Sequence, residues 1–511
     1  MFRRMTYGGV SGKAPEFPHN LRWLNTDRPL TLDNLAGQIV LLDFWTYCCI
    51  NCMHMLPDLE WIERKYYGKA LIVIGVHSAK YSNEQNIDNI KEAIGRYEIS
   101  HPVIVDEDMK VWRSFDVSGW PTVVIIDPKG NIIYKQSGEG QREYIDDVIQ
   151  VLLDKHQRQG TLATPSLLAM QSTPTGRRPR ATLSYPGKLD FSADKKMIAI
   201  SDSNHNRILI ADADNGKIIH TIGGEERGFK DGLFDKAKFF RPQGISWAGD
   251  NNKNNNSIYV ADTENHALRE INIESKIVST LAGNGKQGTW IASMQNGTET
   301  SLSSPWDIAY SNGLILIAMA GLHQIWAYNT QSGKIGPFAG SGSEDIVDGM
   351  LDQSQFAQPS GLSVFGNYLF VADSEVSAIR RIDLNRKVVE TIIGKGLFEF
   401  GHKDGSIDEA LLQHPLGVCT EGNEIYVADT YNHSIRLIDL VQQRVTTLVG
   451  GKPEMKAVCN IHDPSCDTLG LFEPSDVKLR NRNLLYVADT NNHLIRIFDL
   501  GKKVLRTLDI N

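Results

Sequence analysis

Hydrophobic positions along the first part of the chain follow two alternating rhythms. Residues 38–45 form a continuous apolar run of strand length, and residues 70–76 form a second. Between them, residues 53–67 place Leu56, Leu59 and Ile62 at helical spacing, and residues 84–97 read as another helix. A short strand is predicted at 102–105. Residues 122–126 and 132–135 flank Asp127-Pro128-Lys129-Gly130, a hairpin turn by composition, and 144–156 predict a closing helix. This alternation predicts an α/β layered domain over residues 1–157. The rhythm breaks after His156. Residues 158–181 are rich in Gln, Gly, Ser, Thr and Pro and carry Arg177, Arg178 and Arg180, the composition of a flexible linker.

Beyond the linker the chain repeats itself. Val260-Ala261-Asp262-Thr263-Glu264-Asn265-His266 returns as Val427-Ala428-Asp429-Thr430-Tyr431-Asn432-His433 and as Val487-Ala488-Asp489-Thr490-Asn491-Asn492-His493. Weaker copies lie at 200–207 and 371–374, and the most degenerate at 317–323. A proline precedes each phrase, at Pro186, Pro242, Pro305, Pro359, Pro415 and Pro474, with intervals of 56, 63, 54, 56 and 59 residues. Each unit reads as four short strands with no helix between. The prediction is an all-β six-bladed propeller over residues 182–511, because closing the ring leaves only short strand edges to protect.

Composition narrows the functional classes. Over 511 residues, 22% are charged and 41% hydrophobic, as in ordinary soluble proteins, which excludes a mainly disordered chain and a disulfide-dense mini-protein. The formal net charge is −8, and residues 181–511 hold 32 Lys+Arg against 40 Asp+Glu. That balance argues against nucleic acid and against anionic membrane as general partners. No apolar run reaches the length of a membrane span, and Arg3-Arg4 has no apolar segment behind it, so a cytoplasmic location is the expectation.

Three of the six cysteines, Cys48, Cys49 and Cys52, crowd into five positions at a predicted strand-to-helix junction. In a reducing compartment such crowding points to redox chemistry or metal. A sulfur at a helix N-terminus faces unpaired backbone N–H groups that favour a thiolate. With two residues between them, Cys52 can reach Cys49 and resolve a mixed disulfide within the chain. Cys49 is therefore the expected nucleophile and Cys52 the resolving thiol. A tetrahedral metal site would need further ligands, and no second Cys-x-x-Cys follows. No cofactor and no metal are expected.

The segment closely resembles the thioredoxin superfamily, and residues 14–155 carry the likeness. Asp43-Phe44-Trp45 matches the stretch leading to that family's active site, and the resemblance implies that Asp43 is a buried carboxylate assisting proton transfer near Cys52. Pro57 matches the proline inside its active-site helix, and Trp120-Pro121-Thr122 matches the loop whose cis proline shapes the substrate groove. Ala14-Pro15-Glu16-Phe17 looks more like the redoxin branch. The chain departs from the family at Cys48, where tryptophan is usual, and at Ile50 and Asn51 between the cysteines. Cys48 reads as a small buried side chain or as an additional resolving thiol, and the usual burial of free cysteine favours the former. His54 reads as a surface or packing residue. Thr46-Tyr47-Cys48-Cys49 also fits the Thr-x-x-Cys of peroxiredoxins, with Arg113 the one arginine to offer beside a thiolate.

Asn492-His493-Leu494 spells out the element for which the NHL repeat is named, and residues 182–511 resemble six copies of it. In each good copy an Asp and an Arg stand seven residues apart: Asp262 with Arg269, Asp429 with Arg436, Asp489 with Arg496. Repetition points to structural pairing. His266, His433 and His493 invite a zinc reading, which their membership of the repeat argues against. Asp231-Gly232, Asp348-Gly349 and Asp404-Gly405 recur in connections expected to gather on one face as binding loops. Cys459 and Cys466, with His462 between them, read as unremarkable thiols.

The order of domains resembles thioredoxin–NHL fusions of animals and bacteria. The expectation is a thiol-disulfide oxidoreductase acting on protein disulfide or dithiol substrates, recharged by a thiol reductant, with a propeller face that docks a protein partner. The alternatives are a non-catalytic interaction scaffold and a peroxiredoxin-like thiol peroxidase.

Overall fold

The computed structural model describes residues 12–163, 182–248, 257–451 and 470–511, in two compact units within 1–177 and 178–511. The linker beyond 163, Arg3-Arg4, and the loop with Cys459, His462 and Cys466 lie outside the described residues.

The first unit is built on β1 (Gly12–Lys13), β2 (Arg22–Leu24), β3 (Ile39–Trp45), β4 (Leu71–His77), β5 (Val103–Val105), β6 (Thr122–Ile126) and β7 (Asn131–Ser137). They form one sheet in the order β1-β7-β6-β3-β4-β5-β2. β3 lies at its centre, parallel to β4 and antiparallel to β6. Both faces of β3 are buried, which is why its sequence reads as an unbroken apolar run. Ile39 and Leu41 pack under α1 (Ile50–Lys65) and α4 (Arg142–Arg158), against Met55, Leu59, Ile62, Val148 and Leu152. On the other face Val40, Leu42 and Phe44 meet Phe17, Leu35 and Val111. Each fully buried side chain of this size contributes about 1.5–3 kcal/mol, so β3 is anchored from both sides.

Some predicted boundaries shift for local reasons. The helix expected at 84–97 divides into a 3₁₀ turn (Asn83–Gln85) and α2 (Ile87–Tyr97), because Asn86 caps the latter through its side chain and Asp88 N–H at 2.9 Å. α3 (Lys110–Ser114) was too short to stand out; Asp106 accepts from Val111 N–H at 3.0 Å and Trp112 N–H at 2.9 Å to start it. Residue 158, where a linker was expected to begin, is the last of α4, and Ala163 N–H bonds back to Gly37 O at 2.9 Å. No described helix is long and apolar enough to cross a membrane.

Among the described residues the second unit forms six antiparallel sheets, the blades of a propeller, with cores at 186–223, 245–282, 305–339, 359–393, 417–450 and 476–508. The repeated phrase ends the second strand of each blade and, in every blade but the fourth, turns through a short 3₁₀ segment, Thr263–Asn265 in the second. The ring closes between sixth and first blades, where Leu189 and Ile200 share a core with Tyr486, Ala488 and Ile497. Ile218 N–H also donates to Asn511 O at 2.8 Å.

The repeat's polar residues are spent on this ring. Asp262–Arg269, Asp373–Arg380 and Asp429–Arg436 pair at 2.6, 2.9 and 2.6 Å with both partners fully buried, and Asp489–Arg496 at 3.8 Å. Asp231, Asp348 and Asp404, expected in binding loops, instead grip the same arginines at 2.7, 2.9 and 2.7 Å. The glycine after each carries φ of +140 to +149°, which lets a two-residue edge strand follow the carboxylate directly. In the third blade the Asp and Arg positions hold Met319 and Trp326, both fully buried, so an apolar pair fills the place of an ion pair.

The histidines are stitches between blades and are committed to that role. His266, His323, His433 and His493 accept, through Nδ1, the N–H of Ser304, Gln358, Glu473 and Tyr185 at 3.0–3.1 Å. Each donor precedes the proline that opens the next blade. Asn206 Oδ1 and Ser377 Oγ do the same for Arg241 and His414 in the remaining blades. His493 holds the closing seam, with its ring 4.4 Å from that of Tyr185. His493→Ala is therefore expected to destabilise the propeller by about 1–3 kcal/mol, the cost of an orphaned buried N–H, read as a lower urea midpoint at unchanged slope.

Candidate active site

The end of β3 and the start of α1 assemble the predicted thiol site. Cys49 is the N-cap residue of α1, with extended backbone angles, and the first helical turn carries no acidic side chain. Cys52 N–H and Met53 N–H both bond to Cys49 O, at 3.1 and 3.2 Å, which winds the helix directly from the first cysteine. Cys49 is half-buried, whereas Cys52 is 1% exposed. One sulfur faces outward and one inward. Pro57 lies inside α1.

Electrostatics separates the roles further. Burial pushes the Cys52 thiol well up, and its hydrogen bond and charge interaction with Cys49 add to this. Cys52 is thus protonated near neutral pH and needs a base before it can attack. Burial raises Asp43 to about 7, with His101 pulling the other way. A carboxyl poised there is divided between acid and base at physiological pH. Neither carboxylate oxygen of Asp43 has a hydrogen-bond partner among the described residues.

The cis-proline loop reaches the same end of the sheet. Trp120–Pro121 is a cis peptide, and Thr122 pairs with Phe44, so Pro121 stands beyond β6 beside Trp45 and Thr46. Trp120 donates to Ser78 O at 2.9 Å and packs 4.5 Å from Trp112. Trp45 is buried, edge-on to His77 at 5.0 Å. Burial drives His77 down to about 3, so it is neutral.

Cys48 is buried, its N–H held by Glu84 Oε1 at 2.9 Å and its sulfur 4.0 Å from Thr46 Oγ1. The Cys48 thiol is turned toward Thr46 Oγ1, and Arg113 donates to Asp108 O at 2.6 Å. His54, expected as a surface or packing residue, is buried and bonded to Glu139 in the loop before α4.

Glu84 is the residue that sequence reasoning missed. It is fully buried and accepts from Cys48, Lys80 and Tyr81 N–H at 2.9–3.0 Å, tying the cysteine loop to the segment after β4. Its carboxylate gains a role only when two distant segments meet, and no local pattern announces that. Glu84→Ala is expected to cost about 3–4 kcal/mol through these stranded donors. The check is thermal unfolding together with faster alkylation of Cys48.

Comparison with known proteins finds relatives of both units. A thioredoxin-like family model matches residues 37–132, and an NHL repeat model matches residues 412–436 in the fifth blade. NHL repeat-containing protein 2 of Gallus gallus is 40% identical over 534 aligned positions, which cover 97% of this chain and 71% of that protein. The chain belongs to the NHL repeat-containing protein 2 family. It is also 43% identical over 503 residues to Protein SUPPRESSOR OF QUENCHING 1, chloroplastic, of Arabidopsis thaliana, covering 96% of this chain but 47% of the plant protein. The chain thus spans about half of that relative and under three quarters of the animal member of the family. It is also 27% identical over 125 residues to the Thiol-disulfide oxidoreductase YkuV of Bacillus subtilis, across 24% of this chain and 82% of that one.

Proposed function

We propose that the protein is a cytosolic thiol-disulfide oxidoreductase whose propeller holds protein partners. Cys49 attacks a disulfide of the substrate, Cys52 resolves the mixed disulfide, Asp43 takes the Cys52 proton, and Pro121 borders the groove in which the substrate lies. The observation that carries the reading is the buried, partnerless Asp43 carboxyl held near 7 beside a buried Cys52 thiol pushed up. A structural carboxylate is normally satisfied by hydrogen bonds; one that is not marks stored proton affinity.

For the propeller, support comes from exposed aromatics. Phe229, Trp290 and Phe398 follow the fourth strands of the first, second and fourth blades, so their loops share one end of the ring. Rigid exposed aromatics of this kind serve as anchors for protein partners. The test is reduction of a protein disulfide by the full chain in the presence of a dithiol. A rate above the dithiol background supports the oxidoreductase; a rate equal to it leaves an interaction module only.

A further inference from the structure

Behind the thiol pair a row of titratable side chains runs from Asp43 to the surface of the first unit. The parallel register sets Asp43 beside Gly75 and Trp45 beside His77, so these four positions share the sheet face under α1. Gly75 interrupts an otherwise large-residue strand for a reason of space. A Cβ there would lie 3.0 Å from Trp45 Nε1 and 3.3 Å from His101 Nε2. His101, from the segment before β5, therefore reaches over Gly75 to the strand position next to Asp43. It is 5% exposed, and its Nε2 has no hydrogen-bond partner among the described residues. Its Nδ1 lies 3.4 Å from Glu63 Oε2 on α1. Glu63 is part-exposed, and with His101 it lines a cavity of about 450 Å³ bordered by Glu60, Arg64, Lys69 and Glu98. On the inner side, Cys52 and His77 are the other titratable groups facing the row.

We propose that His101 and Glu63 are positioning residues of the thiol reaction, carrying the proton that Asp43 removes from Cys52 out to this cavity. The inference rests on the thiol-disulfide reading and assigns its proton exit. In the resolving step the Cys52 Sγ–H proton passes to Asp43, the Cys52–Cys49 S–S bond forms, and the Cys49–substrate S–S bond breaks. The substrate sulfur leaves as a thiolate with the bonding pair. Asp43 and His101 Nε2 are not hydrogen-bonded to each other, so Asp43 passes its proton to His101 Nε2 through one water between them, and the proton on His101 Nδ1 moves to Glu63 and to solvent. The tautomer this requires is the one its neighbours select, with Nδ1–H on the Glu63 carboxylate and Nε2 accepting. Burial disfavours the imidazolium, but the Glu63 charge and hydrogen bond, helped by Asp43, outweigh it and hold His101 above its ordinary value.

The test uses the full chain in its dithiol form mixed with oxidised glutathione. Release of the first glutathione reports attack by Cys49, and release of the second reports resolution by Cys52. His101→Gln and Glu63→Gln are expected to leave the first release unchanged and to slow the second about tenfold at pH 7. The acidic limb of the second step is expected to move to higher pH, because losing the imidazolium removes the charge that pulls Asp43 down. Glu63, part-exposed, tolerates the change without loss of fold. A second release with the rate and pH profile of the unsubstituted chain in both variants would overturn the proposal. Failure of the unsubstituted chain to release any glutathione would overturn the thiol reading itself, and the relay with it.

Discussion

Cys49→Ser is expected to lower the rate of protein-disulfide reduction by at least about a thousand-fold, to the background of the added dithiol. A hydroxyl at the helix N-cap is not ionised near neutral pH and does not displace a thiolate, so the first covalent step is lost outright. Cys52→Ser is expected to behave differently. Cys49 remains half-buried at the head of α1 and still attacks, but the inward position that would resolve the adduct no longer holds a sulfur. That variant should accumulate a covalent mixed disulfide with its substrate, visible by mass and released by dithiol. The two outcomes are distinguishable from loss of fold, because exchanging a thiol for a hydroxyl leaves in place Leu59, Ile62 and Met55, which anchor α1. Equal activity of Cys49→Ser and the unsubstituted chain would remove Cys49 from the reaction.

Lys188→Met is expected to destabilise the propeller by about 3–5 kcal/mol. Two residues after the opening proline, the second, fourth and fifth blades carry Gly244, Gly361 and Gly417, and a Cβ at each would fall 2.6–2.7 Å from a neighbouring blade's backbone. The first, third and sixth blades carry Lys188, Asp307 and Asp476 at that level, all 1% exposed or less. Lys188 donates to Leu416 O and to Ser475 O at 3.2 Å, and its Nζ is 3.8 Å from Asp307 Oδ2. One ammonium therefore touches three other blades. Without it, Asp307 and Asp476 stay buried with Lys478, 4.0 Å from Asp476, as the remaining cation. The thermal midpoint of the propeller should fall by roughly 5–10 °C. Adding Asp307→Asn to Lys188→Met should recover part of the loss, since it removes one uncompensated charge. An unchanged midpoint would mean the charges are screened by solvent in the ring.

Elements set by local pattern were the ones legible in the sequence. β3 shows as an apolar run, Cys49 and Cys52 by their spacing at a strand-to-helix junction, and the six blades by a phrase recurring after a proline. The Asp–Arg pairs read correctly as structural because symmetry argued for it. What stayed hidden depends on segments far apart in the chain. Glu84 looked like one more polar helix position, yet it is the acceptor for three backbone N–H groups. Asp231 looked like a loop residue, yet it completes the grip on Arg269. His101 carries no motif, and its place over Gly75 follows from the register of β3 with β4. The blade-to-blade use of His433 and His493 needs the ring closed before the acceptor can be seen.

Cys49 and Cys52 are expected to form one redox pair, with Cys48 outside it. The most direct measurement is oxidation of the full chain with one equivalent of disulfide, followed by alkylation of remaining thiols and mass mapping of residues 48–52. A Cys49–Cys52 disulfide with Cys48 alkylated after unfolding is the predicted result. A bond from Cys49 to Cys48, or all three thiols still alkylatable, would contradict it.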